Sequence, residues 1–171
     1  DTELEKLDFN MISYVILNEI EGAYLSGCQE PAKIISMLRK KYPGIKVVLT
    51  LGEKGCMYND GDNLYTNPAY QVKVVDTTAA GDTFMGYFVA GLWEGLDPEA
   101  NLKRACMASA IAVSKKGAAP SIPVKDEVAA LSSALKVCRK ENSNDKVLLD
   151  TIDRYITENL TDATIKGLAD I

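Results

Sequence analysis

The chain has 171 residues, 47% of them hydrophobic and 25% charged, and its formal net charge at pH 7 is −5. These values are typical of a soluble globular domain with its own core, and the negative charge does not favour a broad nucleic-acid-binding surface. The sequence contains no histidine, which excludes Ser-His and Cys-His catalysis and most transition-metal sites. Any catalysis must therefore use carboxylates, lysines, hydroxyls, backbone dipoles or an oxygen-ligated cation.

The cysteine spacing and the apolar runs bear on the cellular compartment of the protein. Cys28, Cys56, Cys106 and Cys138 lie far apart and form no Cys-x-x-Cys pair. This spacing favours buried, reduced thiols over a disulfide framework or a zinc site. No apolar run approaches the roughly 18–20 residues of a membrane span, and no signal peptide opens the chain. We therefore expect a cytoplasmic protein.

The first part of the chain predicts two buried strands joined by helices. Residues 12–18 and 45–51 are apolar and rich in β-branched side chains, as buried strands are. Between them, residues 19–27 predict a short helix closed by glycine, and Pro31 begins a second helix. Two such strands with helical connections indicate a parallel βαβ arrangement.

The next segments predict a β meander. Residues 56–60, 63–70 and 71–76 are short and β-rich, and an Asp-Gly-Asp turn at 60–62 separates the first two. We expect each of the three to form a strand, the last of them ending at Asp76.

Three helices are predicted after the meander. The first begins at Gly81, where apolar residues start to recur every four positions, and the second begins at Asp97-Pro98, a favourable helix start. The second helix carries small residues suited to close packing, Ser109 among them, and stops at Gly117. The third follows an irregular loop and covers about residues 124–139.

The segment DTTAAGDTF, residues 76–84, places a loop of small residues before the helix that begins at Gly81. Such a loop lets an anion approach the unpaired N–H groups at the helix start. Asp82 would repel a simple phosphate, but it is well placed to accept the proton of a hydroxyl held beside that phosphate. The alternative is that Asp82 merely favours a helix N-terminus.

Residues 76–84 resemble the C-terminal signature of the ribokinase-like (PfkB) sugar kinases. Segments NEIE at 18–21, TLGEKG at 50–55 and AVSKKGAAPSIP at 112–123 resemble further motifs of that family, in the same order. The resemblance spans residues 11–136. It implies an α/β fold, the C-terminal half of a ribokinase-like, Rossmann-type three-layer αβα domain with a mostly parallel sheet, a β meander and C-terminal helices. It also implies ATP-dependent phosphoryl transfer to a hydroxyl of a sugar or sugar-like substrate.

The resemblance further implies roles for individual residues. Asp82 would be the catalytic base, and the backbone of Ala79, Ala80, Gly81 and Asp82 would form an anion hole for the transferred phosphate. Asn18 and Glu21 would organise Mg²⁺ and phosphate. The nucleotide site would comprise Asn18, Thr50, Leu51, Gly52, Glu53, Lys54, Gly55, Gly81 and Cys106. A monovalent cation, expected to be K⁺, would be held by Asp76 and Ser121 and by the carbonyls of Thr78, Ala112, Lys115 and Gly117.

Each of these motifs also has a purely structural alternative. Asn18 and Glu21 form the pattern of a helix-capping box, and the glycines of 50–55 suit a turn. Gly117 is typical of a helix C-cap. The sequence also departs from the family pattern. Ala79 replaces a common glycine, Tyr87 stands where a small residue is frequent, and Cys106 stands where a polar residue often lies near adenine.

The resemblance covers only the second half of the family fold, so we expect an incomplete portion of the kinase that is inactive alone. Residues 1–139 would form the nucleotide-binding part, and residues 140–171 a linker with a helical extension. Residues 148–171 weakly resemble the start of an AraC-type helix-turn-helix domain, and the structural alternative is an amphipathic C-terminal helix that packs on the domain. The alternative function is therefore a sugar- or nucleotide-sensing module of a transcriptional regulator, with DNA as a partner. In the kinase interpretation the partners are ATP, a sugar and a second copy in a homodimer.

Overall fold

The computed structural model describes residues 6–141, with the burial of side chains given up to Leu135. The predictions for the linker and the helical extension, and for the Cys138 thiol, lie outside this part of the chain. The helices and strands, in chain order, are β1 (Tyr14–Asn18), α1 (Glu19–Ser26), α2 (Pro31–Lys41), β2 (Lys46–Thr50), β3 (Cys56–Asn59), β4 (Leu64–Asn67), α3 (Ala80–Trp93), α4 (Pro98–Val113) and α5 (Lys125–Glu141).

The four strands form one sheet in the order β1-β2-β3-β4. Strands β1 and β2 are parallel, with Val15 opposite Val47, and the crossover between them contains α1 and α2. Strands β3 and β4 continue the sheet as an antiparallel meander. The βαβ unit and the meander are thus confirmed. Within the described residues the sheet is mixed rather than mostly parallel, because only one of its three strand pairs is parallel.

The predicted strand over residues 71–76 is wrong, because this segment pairs with no strand in the described part of the chain. Instead, the amides of Val75 and Asp76 both donate to the carbonyl of Val113, at 2.8 and 3.1 Å. An orphan carbonyl at the C-terminal end of α4 therefore takes the place of a neighbouring strand. Helix α4 correspondingly ends at Val113 and not at Gly117.

The described chain divides into two compact units, residues 6–69 with 96–102, and residues 70–95 with 103–141. The core of the first unit is formed by β-strand and helix side chains such as Ile34, Leu38 and Val47. A Cβ at Gly22 would lie 2.8 Å from the Leu49 Cδ1 atom, so only glycine fits where α1 lies against this core. The core of the second unit joins α4 to α5 through Met107, Ala108, Ile111, Val128, Leu131 and Leu135.

Two expectations from composition can be compared with the described residues. Cys28, Cys56 and Cys106 are thiols, and the last two are buried. None of the helices between residues 6 and 141 has the length and apolarity needed to span a membrane.

Candidate phosphoryl-transfer site

Helix α3 begins with unpaired backbone donors. Its N-cap, Ala79, provides no side-chain hydrogen bond. The Ala80 amide donates to the Thr77 carbonyl at 3.1 Å, but the amides of Gly81 and Asp82 have no partner within the described residues. Because the first turn is the positive end of the helix dipole, two exposed donors there favour an anion. The Ala80 amide, which was predicted to belong to the anion hole, is thus already hydrogen-bonded to the Thr77 carbonyl.

The Asp76 carboxylate links this turn to a second loop. Its Oδ1 atom accepts hydrogen bonds from the Thr78 hydroxyl at 2.6 Å and the Thr78 amide at 3.0 Å. Its Oδ2 atom accepts from the Gly117 amide at 3.0 Å. These three donors, the Thr78 hydroxyl above all, stabilise the charged form and lower the pKa of Asp76 to about 2. Asp76 is therefore ionised at neutral pH and holds residues 76–78 against residue 117.

Ser109 holds the same turn from another direction. The Ser109 hydroxyl on α4 donates to the Ala80 carbonyl at 3.0 Å, and the Thr83 amide donates to the Ala79 carbonyl at 2.9 Å. The sequence reasoning missed Ser109, since it regarded this residue only as a small residue of a packing face. Its one distinguishing signal is a hydroxyl within an otherwise apolar run of α4.

The Asp82 side chain is exposed in the first turn of α3 and lies at a groove of about 340 Å³. At the other end of this groove, Glu94 forms salt bridges with Arg104 at 2.6 Å and Lys125 at 3.0 Å. Hydrogen bonds from both cations lower the pKa of Glu94, and Lys125 has the larger effect. The Tyr87 hydroxyl donates to the Pro123 carbonyl at 2.7 Å, so Tyr87, one of the departures from the family pattern, joins α3 to the start of α5.

In the first unit, Asn18 and Glu21 form the capping box of α1. The Asn18 Oδ1 atom accepts from the amides of Ile20 and Glu21, and the Glu21 Oε2 atom accepts from the Asn18 amide, all at 2.9 Å. No three His, Cys, Asp or Glu side chains come together as a metal cage within residues 6–141. Mg²⁺ bound with a nucleotide takes much of its coordination from phosphate and water. The Glu21 carboxylate and the Asn18 amide could therefore supply only a minor part of its ligands. Their role at Mg²⁺ stays a prediction.

The predicted nucleotide segment follows β2 as a single 3₁₀ turn, Gly52–Lys54. The Leu51 amide donates to the Gly55 carbonyl at 2.8 Å and closes this turn. Both glycines have positive φ, +56° at Gly52 and +99° at Gly55, but only Gly55 lies against backbone, that of Asn67 and its neighbours. Gly52 faces open space. Thr50, Glu53 and Lys54 lie in the same unit, whereas Gly81 and the buried Cys106 belong to the second unit.

The structure brings together part of the predicted monovalent-cation set. Asp76, Thr78 and Gly117 are joined by the hydrogen bonds of the Asp76 carboxylate. The Ala112 carbonyl accepts from the Lys115 amide at 3.1 Å. Ser121 is buried, and its hydroxyl donates to the Ala118 carbonyl at 2.7 Å. The partners observed at Asp76 are donors, the Thr78 hydroxyl and amide and the Gly117 amide, and not the carbonyls predicted to hold the cation. The cation itself stays a prediction.

Replacing Asp76 by Asn should destabilise the protein in a pH-dependent way. The folded-state pKa of about 2 lies below the roughly 3.9 of an unfolded chain. The carboxylate therefore contributes stability above about pH 4 and loses this contribution as pH falls towards 2. Urea unfolding from pH 6 to 2.5 should show the free-energy gap between wild type and D76N narrowing in acid. Asp62→Asn, at an exposed turn, is the control variant. A free-energy gap for D76N that does not change with pH would contradict the assignment.

The first turn of α3 thus combines exposed backbone amides with the carboxylate of Asp82. The chain belongs to the pfkB family of carbohydrate kinases, whose model, "pfkB family carbohydrate kinase", matches residues 3–125. It is 38% identical over 138 residues to a ribokinase of Lactococcus lactis, covering 80% of this chain and 43% of that protein. The family and the partial ribokinase-like fold predicted from the motifs are thereby confirmed.

Solved structures give the same assignment. The ribokinase of Cryptococcus neoformans in complex with ADP superposes with a TM-score of 0.67 and 28% identity, over 75% of this chain and 47% of that one. Arabidopsis thaliana ribokinase, complexed with ribose and ATP, gives a TM-score of 0.66 and 31% identity, over 71% and 41% of the two chains. The chain spans about two fifths of the length of the curated relatives it matches.

Proposed function

We propose that this chain carries the phosphate-binding and base-bearing part of a kinase that transfers the γ-phosphoryl group of ATP to a sugar hydroxyl. One observation carries the proposal. The first turn of α3 presents two unpartnered amides, those of Gly81 and Asp82, together with the exposed Asp82 carboxylate. An anion site and a proton acceptor on one turn are the two elements that phosphoryl transfer requires of a protein.

In this proposal, Asp82 takes the proton of the attacking hydroxyl. The hydroxyl oxygen forms a bond to the γ-phosphorus, the bond to the leaving ADP oxygen breaks, and the proton moves to the Asp82 carboxylate. The Gly81 and Asp82 amides donate to the phosphoryl oxygens while negative charge develops on them. The helix dipole adds about 0.3–1 kcal/mol in favour of that charge.

The turn is held in place before any ligand binds. Asp76 fixes the backbone of Thr78, and Ser109 fixes the carbonyl of Ala80. Donors that need no reorganisation during the reaction are the ones that stabilise a transition state best. Asp76 and Ser109 are therefore positioning residues for the turn.

The proposed substrates are ATP and a monosaccharide, for which the ribose and ATP bound to the Arabidopsis thaliana relative are the first candidates. Mg²⁺ bound with ATP would neutralise phosphate charge, with Asn18 and Glu21 as the side chains proposed beside it. K⁺ is proposed near the ionised Asp76. A phosphorylation screen over ribose, fructose and nucleosides, with ATP, identifies the acceptor.

Replacing Gly81 by Ala should reduce activity without reducing the stability of the fold. A methyl group at Gly81 meets no atom of the described chain within 4 Å, and its φ is not positive. Stability should stay the same or rise by up to about 1 kcal/mol. The methyl group would nevertheless occupy the space of a phosphate held by the two amides, so kcat/KM should fall on the order of 10²-fold.

This activity is measured in a chimera in which the chain replaces the aligned region of Lactococcus lactis ribokinase, which completes the kinase fold. ADP release with ribose is the assay, and thermal unfolding reports the stability. Gly44→Ala, also exposed and without close neighbours, is the matched control. A folded wild-type chimera without transfer to any acceptor of the screen, or a G81A chimera with full activity, would overturn the proposal.

A further inference from the structure

The loop of residues 114–124 joins α4 to α5, and a buried ion pair spans it. The Lys115 Nζ atom lies 3.2 Å from the Glu127 Oε1 atom, and the two side chains are only 16% and 13% exposed. The other carboxylate oxygen, Oε2, accepts a hydrogen bond from the Val124 amide at 2.9 Å. A single carboxylate therefore holds both the first part and the last residue of the loop.

Capping of α5 explains only one of these two contacts. Glu127 is the third residue of α5, and its bond to the Val124 amide is the one that a capping-box glutamate makes. Such a cap leaves the second carboxylate oxygen free to bind water. Here that oxygen binds a lysine that lies 12 positions earlier in the chain, so Glu127 makes a tertiary contact in addition to its cap.

The burial of the pair indicates that it fixes geometry more than it adds stability. Removing two charges from water costs about as much free energy as their mutual attraction returns, so an apolar pair is often equally stable. A charged pair, however, tolerates few alternative arrangements, because either charge buried without its partner is strongly destabilising. The loop is therefore confined to conformations in which Lys115 reaches Glu127.

Gly117 connects this loop to the start of α3. The Gly117 amide donates to the Asp76 Oδ2 atom at 3.0 Å, and Gly117 follows Lys115 closely in the chain. A loop that moves at Lys115 therefore also moves the Gly117 amide relative to Asp76. Asp76 in turn accepts hydrogen bonds from the hydroxyl and the amide of Thr78, just before α3 begins. These contacts form a continuous path from the ion pair to the first turn of the helix.

We propose that Lys115 and Glu127 are positioning residues, which set the geometry of the turn at residues 76–82 through Gly117 and Asp76. From the sequence, Lys115 was expected only to offer its carbonyl to a cation, and Glu127 was assigned no role. The benefit of this geometry for catalysis rests on the proposed function. The coupling of the ion pair to Asp76 does not, and it is measured without substrates.

A double-mutant cycle in the full chain tests the coupling. Lys115→Met combined with Glu127→Gln removes the ion pair, leaves no unpaired charge and keeps an acceptor for the Val124 amide, so this variant should remain folded. Asp76→Ala should raise the unfolding equilibrium constant, measured in urea, in both backgrounds. The rise should be roughly 5-fold or more smaller without the ion pair than in wild type, because the bond from Gly117 is then already lost.

The matched control is the exposed ion pair of Lys33 and Glu30, whose charged atoms lie 2.9 Å apart. Lys33→Met with Glu30→Gln should leave the effect of Asp76→Ala unchanged, since this pair belongs to the other compact unit. An equal effect of Asp76→Ala with and without the buried pair would overturn the proposal. A chain that does not fold without the buried pair would also overturn it, because the pair would then serve stability.

Kinetics of the chimera show whether the coupling reaches the reaction. Loss of the buried pair should lower kcat on the order of 10-fold and leave the KM for ribose within about 2-fold, because displaced donors weaken the transition state more than the bound substrate. Lys115→Arg, which retains the pair, should keep the kcat of wild type. An unchanged kcat without the pair would contradict the positioning role. A wild-type chimera without transfer would count only against the proposed function, and the unfolding cycle then decides the coupling alone.

Discussion

Replacing Asp82 by Asn should lower kcat by roughly 10²–10⁴-fold, the usual contribution of a general base. Asparagine keeps the size of the side chain but cannot take the proton of the attacking hydroxyl. Asp82 is exposed in the first turn of α3, so the loss to folding is limited to the helix-dipole contribution of about 0.3–1 kcal/mol. ATP binding should be retained or strengthened, because a carboxylate near the phosphates is removed.

The measurement compares ADP release with ribose and calorimetric ATP affinity in the chimera. Asp126→Asn is the matched control, since Asp126 is also an exposed aspartate in the first turn of a helix, α5. It should leave both quantities unchanged. Full turnover by the D82N chimera would show that Asp82 is not the catalytic base and only favours the helix N-terminus.

Replacing Gly55 by Ala should give the largest loss of stability. A Cβ at this position would lie 2.1 Å from the Asn67 carbonyl oxygen and 2.7 Å from the Ala69 amide nitrogen. Both are backbone atoms, so no side-chain rotation relieves the collision. The φ of +99° adds strain of its own. We expect the free energy of unfolding to fall by at least about 2–3 kcal/mol.

Gly52→Ala is the informative control for this substitution. Gly52 also has a positive φ, +56°, but nothing within 4 Å of a Cβ. It should lose only the roughly 1 kcal/mol of left-handed strain. Urea unfolding followed by circular dichroism compares the two variants. Equal losses would mean that strain, and not the approach of β4, explains the glycine at position 55.

The regular elements were predictable because they depend on local signals. Apolar, β-branched runs marked β1 and β2 to within one or two residues, and Pro31 and Pro98 marked the helices that they begin. The failure at residues 71–76 has a physical cause. A β-rich composition shows that a segment favours extended backbone. The hydrogen-bond partner here is the end of α4, which local sequence does not specify.

The site was predictable only where a motif carries it. The segment from Asp76 to Asp82 was identified from its loop of small residues before a helix and from its family resemblance, and the roles assigned to it stay predictions. Ser109 and Arg104 were missed because their significance arises from tertiary contacts, with Ala80 in one case and Glu94 in the other. The choice between a capping box and a ligand pair at Asn18 and Glu21 also required coordinates. The structure shows the cap, and a cap does not exclude a ligand.

The Asp76 carboxylate has a consequence for any attempt to rebuild this site elsewhere. Its two oxygens are shared between Thr78 and Gly117, which are far apart in sequence. The shape of the turn at residues 76–82 is therefore set partly by the loop that contains Gly117. If residues 76–84 were grafted into another protein, the sequence would be kept, but the hydrogen bond from the Gly117 amide to Asp76 would be lost. The smallest transferable piece of this site therefore includes residues 76–84, the loop that contains Gly117, and Ser109 on α4.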